Sequence, residues 1–124
     1  MLGSSDVIAL VATVDPVRAR AFYEDTLGLR FVADEPYALV FDAHGIMLRI
    51  QKVDRVMVGS GTALGWSVAD IAATARALMT KGVRFERYDG MAQDELGIWW
   101  SGSAKVAWFK DPDGNTLSLT EFGS

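Results

Sequence analysis

Few residues in this chain can do chemistry. It has no cysteine, so thiolate nucleophiles, thiolate metal sites and disulfides are excluded together, and its single histidine, His44, excludes a site built on several imidazoles. His44 sits in Asp42-Ala43-His44-Gly45, where it reads as a turn residue with a solvated ring, general-base duty being the alternative. Ser101 and Ser103 lie beside glycine with no nucleophile-elbow pattern, which leaves a Ser-His-Asp triad without support. Tyr88, Asp89, Asp94 and Glu95 could move protons from a loop, although a charged solvated segment needs no such role. Tryptophan is the abundant resource: Trp66, Trp99, Trp100 and Trp108 in 124 residues. Large aromatics fill cores and interfaces, the reading that suits Trp66 beside Val68. In the consecutive Trp99-Trp100, an extended backbone turns the two rings to opposite faces, so one packs and the other is offered to a ligand.

The elements that must position these residues come in two copies. The β-branched, apolar stretch Val7 to Val14 reads as a strand, and Asp15-Pro16 then opens a helix with apolar Val17, Ala21, Phe22 and Leu27 before Gly28 closes it. The same grammar returns with strand Trp66-Ser67-Val68, N-cap Asp70, helical Ile71, Ala75, Leu78 and Met79, and Gly82. After each glycine the text nearly repeats, as Gly28-Leu29-Arg30-Phe31 and Gly82-Val83-Arg84-Phe85. A second echo pairs Asp42-Ala43-His44-Gly45 with Asp111-Pro112-Asp113-Gly114, each an Asp-x-x-Gly hairpin turn entering an alternating strand. Each half therefore reads strand, helix, strand, strand, strand, at about residues 7–57 and 62–122. The helix glycines are 54 residues apart and the turn glycines 69, so the second half carries extra residues, placed between Tyr88 and Lys105. Long loops inside compact domains are commonly functional.

Composition bounds the rest. Half the residues are apolar and 23% charged, which predicts one globular domain over residues 1–124, the two halves sharing its core. A net charge of −4 offers no footprint for nucleic acid or an anionic membrane. The longest apolar stretch falls well short of the ~20 residues a spanning helix needs, and Met1 to Asp6 lacks the basic start of a signal peptide. A cytoplasmic protein is the expectation.

The sequence resembles the glyoxalase/bleomycin resistance/extradiol dioxygenase, or vicinal oxygen chelate, superfamily. The resemblance rests on Val14-Asp15, on Ala21-Phe22-Tyr23 followed by Leu27-Gly28-Leu29, and above all on Val106-Ala107-Trp108-Phe109-Lys110-Asp111-Pro112-Asp113-Gly114-Asn115. It implies an α+β fold of tandem βαβββ modules forming a curved mixed-sheet cup around a cavity, commonly as a homodimer. Metal-dependent members place one ligand seven residues before each helix-capping Asp and one four residues after each turn glycine. Those positions are Ile8, Ala63, Arg49 and Ser118 here, of which three cannot bind a divalent metal and the fourth is a poor ligand alone. The resemblance thus leads to an expectation of no metal and no cofactor.

If the family's inward phase carries over, Ile8, Leu10 and Ala12 share a side with Arg49, Gln51, Ser118 and Thr120. An inward Arg49 must meet an internal carboxylate, solvent or an anionic ligand. An aromatic wall opposite it would suit a planar, anionic or hydrogen-bonding small molecule. The candidate ligand-binding set is accordingly Arg49, Gln51, Trp99, Trp100, Trp108, Ser118 and Thr120, with no catalytic or metal residue assigned. Three classes of function follow. One is a metal-free binding protein that sequesters an aromatic or anionic compound. Another is a superfamily lyase, isomerase or dioxygenase with a non-standard or metal-independent site. The last is a regulatory domain whose cavity is filled by side chains.

Overall fold

The computed structural model of the protein describes residues 1–123. The chain divides into two compact units, one spanning Met1–Met57 and the other running from Val58 onward. In the first, strands β1 (Ile8–Thr13), β2 (Arg30–Asp34), β3 (Ala38–Ala43) and β4 (Ile46–Lys52) form a sheet of order β1-β4-β3-β2, with helix α1 (Pro16–Ala21) after β1. In the second, β5 (Leu64–Ser67), β6 (Trp99–Trp100), β7 (Ala104–Lys110) and β8 (Thr116–Phe122) give the order β5-β8-β7-β6, with α2 (Ile71–Thr80) after β5. In each the first strand pairs parallel with the last and the other pairs are antiparallel. The fold is α+β, and the two copies read from the sequence are two mixed sheets built to one plan. No helix among the described residues is long and apolar enough to cross a membrane.

Both helices start as their sequences dictate. The Asp15 carboxylate accepts from the Arg18 N–H at 3.2 Å and that of Asp70 from the Ala73 N–H at 3.1 Å. The first helix departs from a plain α-helix after Ala21. It widens into a π-helical turn over Phe22–Thr26, in which the Leu27 N–H reaches the Phe22 carbonyl at 2.9 Å. The wider turn carries two successive aromatics: Tyr23 is fully buried against Phe41, while Phe22 packs edge-on to Tyr23 at 5.3 Å. Val17, counted among the apolar positions, is exposed on the first turn.

Strand alternation decides the cores. In the first sheet Val11, Leu39, Phe41, Leu48 and Ile50 are in register on one face and buried. In the second, Ala107, Phe109, Leu117 and Leu119 occupy the equivalent face with Ile71, Ala75 and Leu78 of α2. Burying such side chains contributes about 1.5–3 kcal/mol each. The strand expected after Gly82 does not form. Only Phe85 makes a single bridge, to Phe109, after which the chain leaves the sheet and the edge is rejoined by the two-residue β6. The additional residues of the second half account for this difference, because they remove the continuous partner that β2 supplies to β3.

The duplicated turns differ in how deeply they are built in. In the first, His44 and Gly45 both have positive φ (51° and 89°), and Gly45 N–H donates to Asp42 at 3.2 Å. In the second, buried Asp111 accepts from the N–H groups of Asp113 and Asn115, both at 2.9 Å, and from the Asn115 amide at 2.8 Å. Replacing Asp111 by Ala strands those donors, so a loss of about 2–4 kcal/mol is expected in denaturant melts. Asp42→Ala at the equivalent, half-exposed turn should cost about 1 kcal/mol or less.

Candidate functional site

The faces opposite the two cores carry the candidate residues, Ser118 being buried there. On the first sheet, the buried Leu48 and Ile50 force Arg49 and Gln51 to the opposite side. Register puts Arg49 between Leu10 and Val40, and Gln51 between Ala12 and Ala38. Arg49 meets a carboxylate of its own unit: its Nη2 donates to Glu35 Oε1 at 2.8 Å, Glu35 coming from the loop between β2 and β3. Toward the β3–β4 turn the same face continues as the row Ile8, Met47, Asp42 and Arg30. Ile8, Val32, Val40 and Met47 line an open concavity of about 510 Å³ there, with Arg30 and Asp42 paired at 3.6 Å.

On the second sheet, Trp99 pairs with Val106, which pairs with Thr120, and Trp108 pairs with Ser118. These side chains share the face opposite the core. Trp99 and Trp108 lie 6.2 Å apart and tilted by 34°, and Tyr88 meets Trp108 edge-on at 5.6 Å. Tyr88 is an addition, because its ring reaches Trp108 only through the fold of its loop. Trp100 leaves this set. It pairs with Lys105, on the side of Glu121 and the start of α2, and borders a separate depression of about 340 Å³. Trp100 is 61% exposed.

The inserted loop is pinned. Asp94 accepts from the N–H groups of Leu96 and Ile98, both at 2.9 Å, and Arg87 donates to the carbonyls of Asp94 and Glu95. The Gln93 amide donates to the carbonyls of Glu86 and Gly97 and accepts from the Tyr88 N–H at 2.8 Å. Gly97 has φ +86°, and a Cβ there would stand 3.1 Å from that of Phe85. These contacts give Gln93, Asp94 and Arg87 structural duties and set Tyr88 beside Trp108. Burial is the main cause of a raised Tyr88 phenol pKa, with the nearby Glu86 charge adding to it.

The four positions at which a family metal would be held do not fit one. Ile8 is alkyl, Arg49 is cationic and paired, and Ala63 precedes β5 with its N–H on the Thr116 carbonyl. Ser118 faces Gly65 so closely that a Cβ on Gly65 would sit 2.5 Å from its Oγ. Glu121 is occupied elsewhere, accepting the Ile71 N–H at 3.0 Å and lying 3.8 Å from Lys105 Nζ. Among the described residues no three His, Asp or Glu side chains come together to hold an ion.

The Glyoxalase/Bleomycin resistance protein/Dioxygenase superfamily model matches residues 6–119. No curated protein matches the sequence. Among solved structures, a glyoxalase family protein from Enterococcus faecalis is similar at TM-score 0.76 and 20% identity, covering 98% of this chain and 100% of that one. The genomically encoded fosfomycin resistance protein of Listeria monocytogenes is similar at TM-score 0.75 and 13% identity, covering 98% and 92%. A lactoylglutathione lyase from Agrobacterium tumefaciens is similar at 0.70 and 18%, covering 94% and 93%. At these identities the likeness is one of fold.

Two spectroscopic outcomes follow. Trp100→Phe should remove most of the iodide-quenchable emission, while Trp99→Phe leaves it. Tyr88 should ionise above 10.0, read at 295 nm against Tyr88→Phe. Because the unfolded phenol loses its proton first, the stability contributed by the raised pKa is present below about pH 10 and is lost as pH rises through the folded value. Wild type should therefore lose stability relative to Tyr88→Phe in that window.

Proposed function

Since the chain belongs to the glyoxalase/bleomycin resistance protein/dioxygenase superfamily, we propose that it binds a small aromatic or anionic compound without a metal, sequestering it rather than transforming it. The observation that carries this reading is the donor set: alkyl, methyl, guanidinium and a single hydroxyl stand at Ile8, Ala63, Arg49 and Ser118. Such a set has no carboxylate or imidazole to hold a divalent ion or to serve as a general base. The free faces instead offer recognition chemistry. The first sheet supplies the Arg49 guanidinium and the Gln51 amide. The second supplies the ring wall of Trp99, Trp108 and Tyr88 with the Ser118 and Thr120 hydroxyls. The working form is a homodimer, a reading supported by the resemblance.

Metal analysis of untagged protein purified without chelator, joined to thermal melts with Ni, Zn, Mn and Fe(II), tests the reading. Metal well below one equivalent and an unchanged melting temperature are expected, since an ion bound to the native state raises it. Near-stoichiometric metal or a saturable rise overturns the metal-free reading and favours a lyase, isomerase or dioxygenase. Sedimentation velocity should show a dimer; a monomer at micromolar concentration would overturn that part.

A further inference from the structure

We propose that Glu35 stands in for the acid group of a ligand on Arg49, and that the ligand is an organic acid with an apolar body. The inference rests on the reading of the first unit as a binder and adds the class of compound and the residue that selects it. Arg49 projects between Leu10 and Val40 with its side chain only 29% exposed. A guanidinium keeps its charge at accessible pH, so this partly buried position favours an anion beside it. Glu35 provides it through one nitrogen and one oxygen, whereas a guanidinium can take a carboxylate through two parallel bonds. An incoming acid can therefore make a fuller contact than the internal one.

Release of Glu35 is easy because the loop that carries it is held by other bonds. Lys52 Nζ donates to the Glu35 carbonyl at 2.7 Å and to Asp34 Oδ1 at 2.5 Å. The Glu35 N–H reaches the Ala38 carbonyl and the Lys52 N–H the Tyr37 carbonyl, both at 2.9 Å. The backbone thus stays in place while the Glu35 carboxylate, already 46% exposed, rotates into water, where it loses little. Leu10 and Val40 flank Arg49 on the same face, and Val40 and Met47 carry that face on toward the β3–β4 turn into the concavity of about 510 Å³, where an apolar body has room. The charged residues of that concavity are Asp6, Asp42 and Arg30, the last two paired, while Lys52 stands at the Glu35 carbonyl. A neutral analogue of the same shape offers Arg49 no charge and gains nothing from displacing Glu35.

Calorimetric titration with 1-naphthoate and its neutral amide, 1-naphthamide, tests this on wild type, Glu35→Gln, Arg49→Gln and Arg49→Lys. Wild type is expected to prefer naphthoate, and Glu35→Gln to bind naphthoate about threefold to tenfold more tightly with naphthamide unchanged. Arg49→Gln should abolish the preference. Arg49→Lys, which keeps the charge and is expected to fold, should retain part of it. Naphthoate affinity unchanged by Glu35→Gln overturns the proposal. Equal binding of both probes, insensitive to Arg49 and Glu35, overturns it while leaving a metal-free binder standing. Binding of neither probe by any variant that melts like wild type overturns the assignment of this acid class, whereas a stoichiometric metal in the preceding experiment overturns the wider reading on separate grounds.

Discussion

The period of two along each strand, locked by parallel pairing of the first and last strands of each unit, is the constraint on which the other features depend. Leu48 and Ile50 are fully buried, and their register with Val11, Leu39 and Phe41 admits no slip of one residue without turning a guanidinium and an amide into the core. Arg49 and Gln51 reach the free face because their neighbours must not. The same argument in the second unit, from Ala107, Phe109, Leu117 and Leu119, delivers Trp108, Ser118 and Thr120 to a free face and sends Glu121 to the start of α2. Candidate chemistry is thus a by-product of core packing, and changing it requires only substitutions that leave the core pattern intact.

The two units show how far one plan can be bent under that constraint. Both keep the parallel closing pair, the Asp-capped helix and the Asp-x-x-Gly turn. They differ at the edge beside the middle strand, where the first unit has five-residue β2 and the second has a lone bridge at Phe85 and then Trp99–Trp100. The segment between is ordered by groups that would otherwise pass as acid–base candidates. An acceptor that already takes two backbone N–H groups, as Asp94 does, serves the loop. The same ordering brings Tyr88 to Trp108 and gives the ring wall its third member.

Much of the fold was legible because the signals were local and repeated. Asp15, Asp70, Gly28 and Gly82 mark helix ends by backbone chemistry that needs no tertiary knowledge, and the turn glycines mark hairpins in the same way. The π-helical turn at Phe22–Thr26 was not legible, since it depends on how Tyr23 is drawn against Phe41 across the unit. The missing strand after Gly82 was hidden for a related reason: Val83-Arg84-Phe85 has the pattern of a strand, but its pairing is decided by an insertion downstream. At the site, alternation separates Trp99 from Trp100, yet which ring takes which face follows only from the register with Val106 and Lys105. The partner of Arg49 was open among a carboxylate, solvent and a ligand until the loop placed Glu35 at 2.8 Å.

That pair also bears on how a cation can stand at a partly buried sheet position without leaving a defect. Arg49 and Ser118 occupy equivalent places, opposite Leu10 in one unit and opposite Gly65 in the other. A hydroxyl can be accommodated beside glycine with little electrostatic cost, but a half-buried guanidinium cannot stand alone. The first unit therefore needs Glu35, and because a loop supplies that carboxylate from the wet side, the compensation is reversible. A buried carboxylate from the sheet would have given a fixed ion pair that excludes other anions. An exposed one neutralises the position when empty and, on the proposal above, yields it to a better-shaped anion.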